Sequence, residues 1–298
     1  MSKTKAEWLK IFREQADKEY TTISAMKKTY KDKASDMNKS ISYMRDAYIS
    51  RSKEGASSQD VTSGSLLESI LLITYVSYIV MLEYRNKFWP YEYMSFARRI
   101  GELWEPFCKL AFEYPIKMLK RVQPPTFEKV QRTLISDAVS FINGLDLPTE
   151  TKDALKKYYE IPWRMVDSGG IKLSLDLHFI QDDVNCNCDF KSGFSSNEKG
   201  NTNRLLLVAS IYRFLSDKQR TILFVRQSED QNNHYLQTLK NSKLWEVYCA
   251  NDAYTAINGF TGIDIRKWLD INAKWAEDID ADFRSHLEKN DLLKYLTW

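Results

Sequence analysis

Two runs late in the chain alternate apolar and polar residues with almost no error. Residues 171–180 read IKLSLDLHFI and residues 184–191 read VNCNCDFK. A period of two over this length predicts a pair of half-buried strands. Asp182 and Asp183 between them read as turn residues. One face then carries Ile171, Leu173, Leu175, Leu177, Phe179, Val184, Cys186, Cys188 and Phe190. The other carries Lys172, Ser174, Asp176, His178, Asn185, Asn187, Asp189 and Lys191, so the chemistry of the hairpin lies on one side.

The same pattern selects the register. With a short even-length turn, residues whose numbers sum to 365 stand opposite one another, which sets Leu177 against Cys188 and Phe179 against Cys186. On the polar face it sets Asp176 against Asp189 and Ser174 against Lys191. An odd shift places apolar residues opposite polar ones throughout. Directly opposed side chains have Cβ atoms roughly 4.5–5.5 Å apart, and two like charges at that separation destabilise the ladder. A divalent cation bound by both carboxylates offsets the repulsion, and hard oxygen ligands suit Mg²⁺.

Elsewhere the pattern is helical. Residues 5 to 54 contain no Gly or Pro, and Ile23, Met26, Tyr30, Ala34, Met37, Ile41, Met44 and Tyr48 recur three or four residues apart. This predicts one amphipathic helix or two. The polar stretch Arg51 to Ser65 reads as a loop. Further helices are expected near 66–86, 90–113, 126–144 and 149–160, separated by Trp89-Pro90, Tyr114-Pro115, Pro124-Pro125 and Leu147-Pro148. After the hairpin come a Ser/Asn/Gly-rich loop and a helix over Leu205–Leu215. Thr221–Val225 follows as a continuous apolar run typical of a strand buried on both faces. A helix over 231–242, a strand from Leu244 to Ala250 and mostly helical structure from Ile263 onward complete the reading. There Trp268, Trp275 and Phe283 form a packing stripe.

Residues 66–82 are apolar enough to raise a membrane reading. Glu68 interrupts them, however, and the run that follows, Ile70–Leu82, has 13 residues where about 20 are needed. A buried core helix is expected, with no membrane partner.

Asp176, Asp189 and Lys191, spaced Asp-x12-Asp-x-Lys on a hairpin, resemble the PD-(D/E)XK nuclease superfamily. Its usual proline before the first Asp is replaced by Leu175, which is not a ligand position. Strand, strand, helix, strand in this order is the superfamily's core, and the likeness covers residues 171 to about 230. It implies an α+β protein: a mixed β-sheet nuclease core with C-terminal helices over 148–298, after a large all-helical region over 1–147 that supplies dimer or DNA contacts. It also implies catalysis by Asp176, Asp189 and Lys191, with Mg²⁺ held by the two aspartates. The loop looks like a segment used against DNA in type II restriction endonucleases. That makes Ser195, Asn197, Lys199, Asn201, Asn203 and Arg204 DNA-binding candidates: Asn and Arg can read base edges, and Lys neutralises phosphate. Asn201 or Thr202 is equally a plausible helix N-cap. Double-stranded DNA as substrate and a homodimer on a short palindrome follow from the same resemblance.

Other readings stand beside these. Asp176 and Asp189 could be ordinary surface carboxylates, with Lys191 as a diagonal ion pair of well under about 1 kcal/mol. His178 could act as a base, line the rim or touch DNA, and Glu160 could add a carboxylate. The net charge of +3, from 43 basic and 40 acidic residues, neither requires nor excludes nucleic acid. Cys108, Cys186, Cys188 and Cys249 make no disulfide framework or metal motif. They read as buried free thiols in a reducing cytoplasm. A nuclease of repair or phage defence, or a non-catalytic nucleic-acid binder, is the alternative function.

Overall fold

Among the described residues, five strands form one mixed sheet whose spatial order is also their order along the chain: β1 (Lys120–Arg121), β2 (Leu177–Gln181), β3 (Val184–Lys191), β4 (Gln219–Val225) and β5 (Glu246–Cys249). The computed structural model describes residues 3–57, 63–165, 172–195 and 197–298. β1, β2 and β3 pair antiparallel, while β3, β4 and β5 pair parallel. Parallel neighbours need a crossover. The helices α7 (Lys199–Leu215) and α8 (His234–Asn241), numbered in chain order, provide the two that this sheet requires. The expected α+β architecture is what the chain adopts.

The hairpin is built as its alternation predicts. Asp182 and Asp183 sit at φ 51° and 58°, the two-residue turn geometry whose twist matches that of the flanking strands. Leu177 pairs with Cys188, Phe179 with Cys186 and Gln181 with Val184. The strand start differs from expectation. β2 begins at Leu177; residues 172–176 are irregular, and Ile171 lies outside the described residues. Leu173 and Leu175 pack into one core and Leu177 and Phe179 into another, so the chain changes sides at the bend at Asp176. Alternation alone does not reveal this, because both sides are apolar.

β4 separates those two cores. Ile222 and Phe224 face the first, with Leu177 and Phe179, and Leu223 and Val225 the second, with Leu173 and Leu175; all four β4 residues are fully buried. The second core is formed with α5 (Phe127–Gly144), α7 and α8. The first draws residues from Trp8 to Leu296. It gathers α1 (Lys5–Ser24), α2 (Tyr30–Ser57), α3 (Ser63–Phe88) and α4 (Tyr93–Glu113) with α9 (Asn251–Thr261), α10 (Ile265–Asn272), α11 (Trp275–Asp278) and α12 (Ala281–Lys289). Trp268, Trp275 and Phe283 are buried as expected, one on each of the last three helices.

Some boundaries move. α2 continues through Gly55 to Ser57, so the loop expected from Arg51 is helical there; glycine in an exposed last turn costs only about 1 kcal/mol relative to Ala. Met26 and Tyr30 leave the predicted stripe and are exposed, because the chain turns between α1 and α2. α9, unread in the sequence, buries Ala253, Tyr254, Ile257 and Phe260 at helical spacing.

α3 sits among the other helices. Its segment Gly64–Phe88 has the length and composition to cross a bilayer, yet 72% of its most apolar window is buried inside the protein. Its one fully buried carboxylate, Glu83, accepts from Arg13 Nε of α1 at 3.0 Å and from the Asp280 amide at 2.7 Å. Tyr75 of α3 donates to Asp278 at 2.7 Å, and Lys5 of α1 pairs with the same carboxylate at 2.9 Å. These bonds tie the first helix to the last ones across α3. Removing one partner of a buried pair strands the other charge. Arg13→Ala is therefore expected to lower the unfolding free energy by about 3–5 kcal/mol, with part of the loss recovered when Glu83→Gln is added. Denaturant titration checks this, and a loss below about 1 kcal/mol would mean the pair behaves as a surface bridge.

Candidate active site at the mouth of the hairpin

Asp176 stands one residue before the β2–β3 ladder. Its Oδ2 accepts the Phe190 backbone N–H at 2.8 Å. A side chain thus takes the amide that the next rung would have used, and the carboxylate is fixed to the backbone of β3 beside Asp189.

Asp189 is 1% exposed. Its Oδ2 receives Arg204 of α7 at 3.3 Å, and Lys191 Nζ forms an ion pair with Oδ1. Lys191 lies two residues further along the same strand, hence on the same face. Burial pushes the Asp189 carboxyl above the usual carboxylate range; Lys191 pulls it back and the negative charge of Asp176 raises it again.

The face expected to be open is covered by α7. His178 and Asn187 are 6% and 4% exposed. The Leu175 amide donates to His178 Nε2 at 2.9 Å, which leaves Nδ1 to donate to Asn187 Oδ1 at 2.8 Å. Asn187 passes the chain on to Gln219 at 2.8 Å. Both imidazole nitrogens are thereby committed within the protein, and burial lowers the His178 pKa against the opposing pull of Asn187 and Asp176. This histidine braces the start of β2; the base and DNA-contact readings do not fit it.

The loop candidates divide. Ser195, Asn197, Lys199 and Asn203 are exposed around the start of α7. Asn201 is half-buried and donates to Glu198 at 3.0 Å. Arg204 turns inward to Asp189, so it belongs with the carboxylates more than with the exposed loop. The helix cap also differs from expectation: α7 starts at Lys199 with Glu198 at the cap position, while Asn201 and Thr202 lie within its first turn. Glu160 falls in α6 (Thr149–Met165) and is half-buried.

Two close approaches not read in the sequence hold the end of β3. A Cβ on Gly101 of α4 would collide with Ser192 Oγ, and one on Gly193 would collide with the Gln227 side-chain oxygen. Arg226 adds a bond to Ser192 Oγ at 3.1 Å. A lone glycine inside a helical pattern, as at Gly101, is the signal that marks such a contact.

Asp189 Oδ1 is buried, and among the described residues it is met by the Lys191 ammonium as an ion pair. Asp176 Oδ1 takes no hydrogen bond among them. Two carboxylates on adjoining backbone fit a Mg²⁺ ion that would displace Lys191 from Asp189, keep waters and take substrate phosphate for its other positions. Among the described residues there is no group of three or more His, Cys, Asp or Glu arranged to hold a metal, so any metal here rests on these two ligands.

No known protein family, curated protein or solved structure matches the chain.

Two outcomes are expected. Millimolar Mg²⁺ raises the melting temperature of the wild-type chain, with about 2.7 kcal/mol gained at a hundredfold excess over Kd. Asp176→Asn and Asp189→Asn lose that shift, and an unchanged shift in both would exclude this pair as the metal site. For His178 the folded pKa lies below the unfolded value of about 6.5. Its contribution to stability is therefore complete above that pH and is lost as the pH falls through the folded value. Urea midpoints at pH 7.5 and 5.5 should fall further apart for the wild type than for His178→Gln; equal pH dependence would rule this titration out.

Proposed function

We propose that the chain is a Mg²⁺-dependent endodeoxyribonuclease that hydrolyses double-stranded DNA at specific sites, in the manner of a type II restriction enzyme. The observation that carries the reading is the placement of Asp176 and Asp189 across adjoining backbone, with Lys191 against Asp189. The resemblance to PD-(D/E)XK nucleases rests on these same three residues.

Asp176 and Asp189 would hold Mg²⁺, which when bound polarises the phosphate and acidifies water. The Phe190 amide keeps Asp176 pointed at β3. Arg204 holds Asp189 from the α7 side. Lys191, poised beside Asp189 Oδ1, carries the ammonium that meets the charge developing on the phosphate oxygens as water attacks phosphorus and the bond to the leaving sugar oxygen breaks. Exposed Asn197, Lys199 and Asn203 are the groups offered to DNA from the loop.

Cutting both strands calls for two such sites, and a homodimer on a two-fold symmetric sequence supplies them. The four cysteines are free, and burial pushes the Cys186 thiol up to about 11. Unreactive reduced thiols of this kind suit the cytoplasm in which such an enzyme would work.

The test is incubation of the purified protein with plasmid and phage DNAs, in Mg²⁺ or EDTA, beside Lys191→Ala. Discrete Mg²⁺-dependent bands are expected, with cutting by Lys191→Ala reduced by about 10²-fold or more. Cutting by the variant at the parent rate would remove Lys191 from the active site. Smeared products would point to a nuclease without site specificity, and absence of any hydrolysis would leave a binding role.

A further inference from the structure

The geometry points to a second element of substrate recognition: a trough beside Asp176 that seats the phosphate backbone of DNA next to the scissile bond. This rests on the nuclease reading above. Two cavities adjoin there. The first, about 530 Å³, lies between α2, α3, α4 and β1, with Arg45, Lys53, Thr74, Lys109, Arg121 and Asp176 among its walls. The second, about 440 Å³, continues along residues 121–124 and 174–178. Arg121 and Asp176 line both, so the two cavities adjoin at these side chains.

The wall chemistry suits a polyanion. Arg45, Lys109 and Arg121 form ion pairs with partly exposed carboxylates: Asp46 at 2.8 Å, Glu105 at 2.9 Å and Glu113 at 3.2 Å. Such pairs are weak because water screens them, so a phosphate can replace the carboxylate at little cost, and Arg suits phosphate bidentately. Thr74, on the α3 wall, is 3% exposed, and its hydroxyl has no hydrogen-bond partner among the described residues. A buried hydroxyl without a partner is rare enough to mark a place where a ligand or water completes the bonding. Arg45, Lys53, Lys109 and Arg121 line the first cavity, and Arg121 borders the second where both meet Asp176, so the cations that would track a phosphate backbone gather on the helical side of the proposed catalytic carboxylate. The loop ahead of α7 reaches the DNA from elsewhere on the chain, so the helical N-terminal region adds its own contacts through this trough.

The test measures binding of a fluorescein-labelled DNA duplex to the full chain in EDTA, where no cutting occurs, over a salt series. Arg121→Ala and Lys109→Ala are compared with the wild type and with Lys289→Ala, an exposed change outside both cavities; thermal melts establish that each is folded. Each trough variant is expected to weaken binding several-fold and to reduce the slope of log K against log salt by about 0.9, one phosphate contact. Lys289→Ala is expected to leave the slope unchanged. Unchanged slopes in both trough variants, with a wild type that cuts in Mg²⁺, would overturn the trough and leave the nuclease reading standing. Reduced slopes with a wild type that never cuts would support the trough as a DNA site and sink the nuclease. A wild type that does not bind DNA at low salt would overturn both.

Discussion

The site depends on one hydrogen bond, from the Phe190 amide to the Asp176 carboxylate at 2.8 Å. Asp176 lies beyond the last rung of the β2–β3 ladder, where nothing in the sheet would otherwise fix it. By taking a strand amide it substitutes for a backbone partner. The chain then crosses from one core to the other at this residue, with Leu175 buried on one side and Leu177 on the other. A carboxylate at such a crossing is held between two packed layers.

Asp189 brings the opposite problem, since burial of a carboxylate is costly unless it is paired. Lys191 and Arg204 supply the pairing. The arrangement reads as a cation site whose protein cations hold the place of a metal. A lysine two residues beyond the aspartate falls beside it on the same face of the strand, which places its ammonium against Asp189.

Much of this was legible in the chain. Apolar alternation fixed the hairpin register, because Cys186 and Cys188 must share the buried face with Phe179 and Leu177. Asp182 and Asp183 marked the turn. The start of β2 was misread because Leu173 and Leu175 keep the same phase while serving a different core, and periodicity does not report which core a residue joins. His178 and Asn187 looked exposed because polarity was taken for solvent. They are instead bonded to each other under α7, and only tertiary packing reveals that cover. Arg204 resembled a DNA contact for the same reason: its partner, Asp189, is near in space and fifteen residues away in sequence. The trough by Arg121 was invisible, since it joins helices and a two-residue strand far apart along the chain.

The claim that Asp176 and Asp189 form one cation site is met most directly by anomalous scattering from crystals soaked in Mn²⁺, which takes the same hard oxygen ligands as Mg²⁺. A single strong peak is expected within coordinating distance of both carboxylates, with Lys191 displaced from Asp189. An empty pair, with Lys191 still seated on Asp189 while Mn²⁺ occupies other sites, would contradict the reading of this hairpin as a metal-dependent active site.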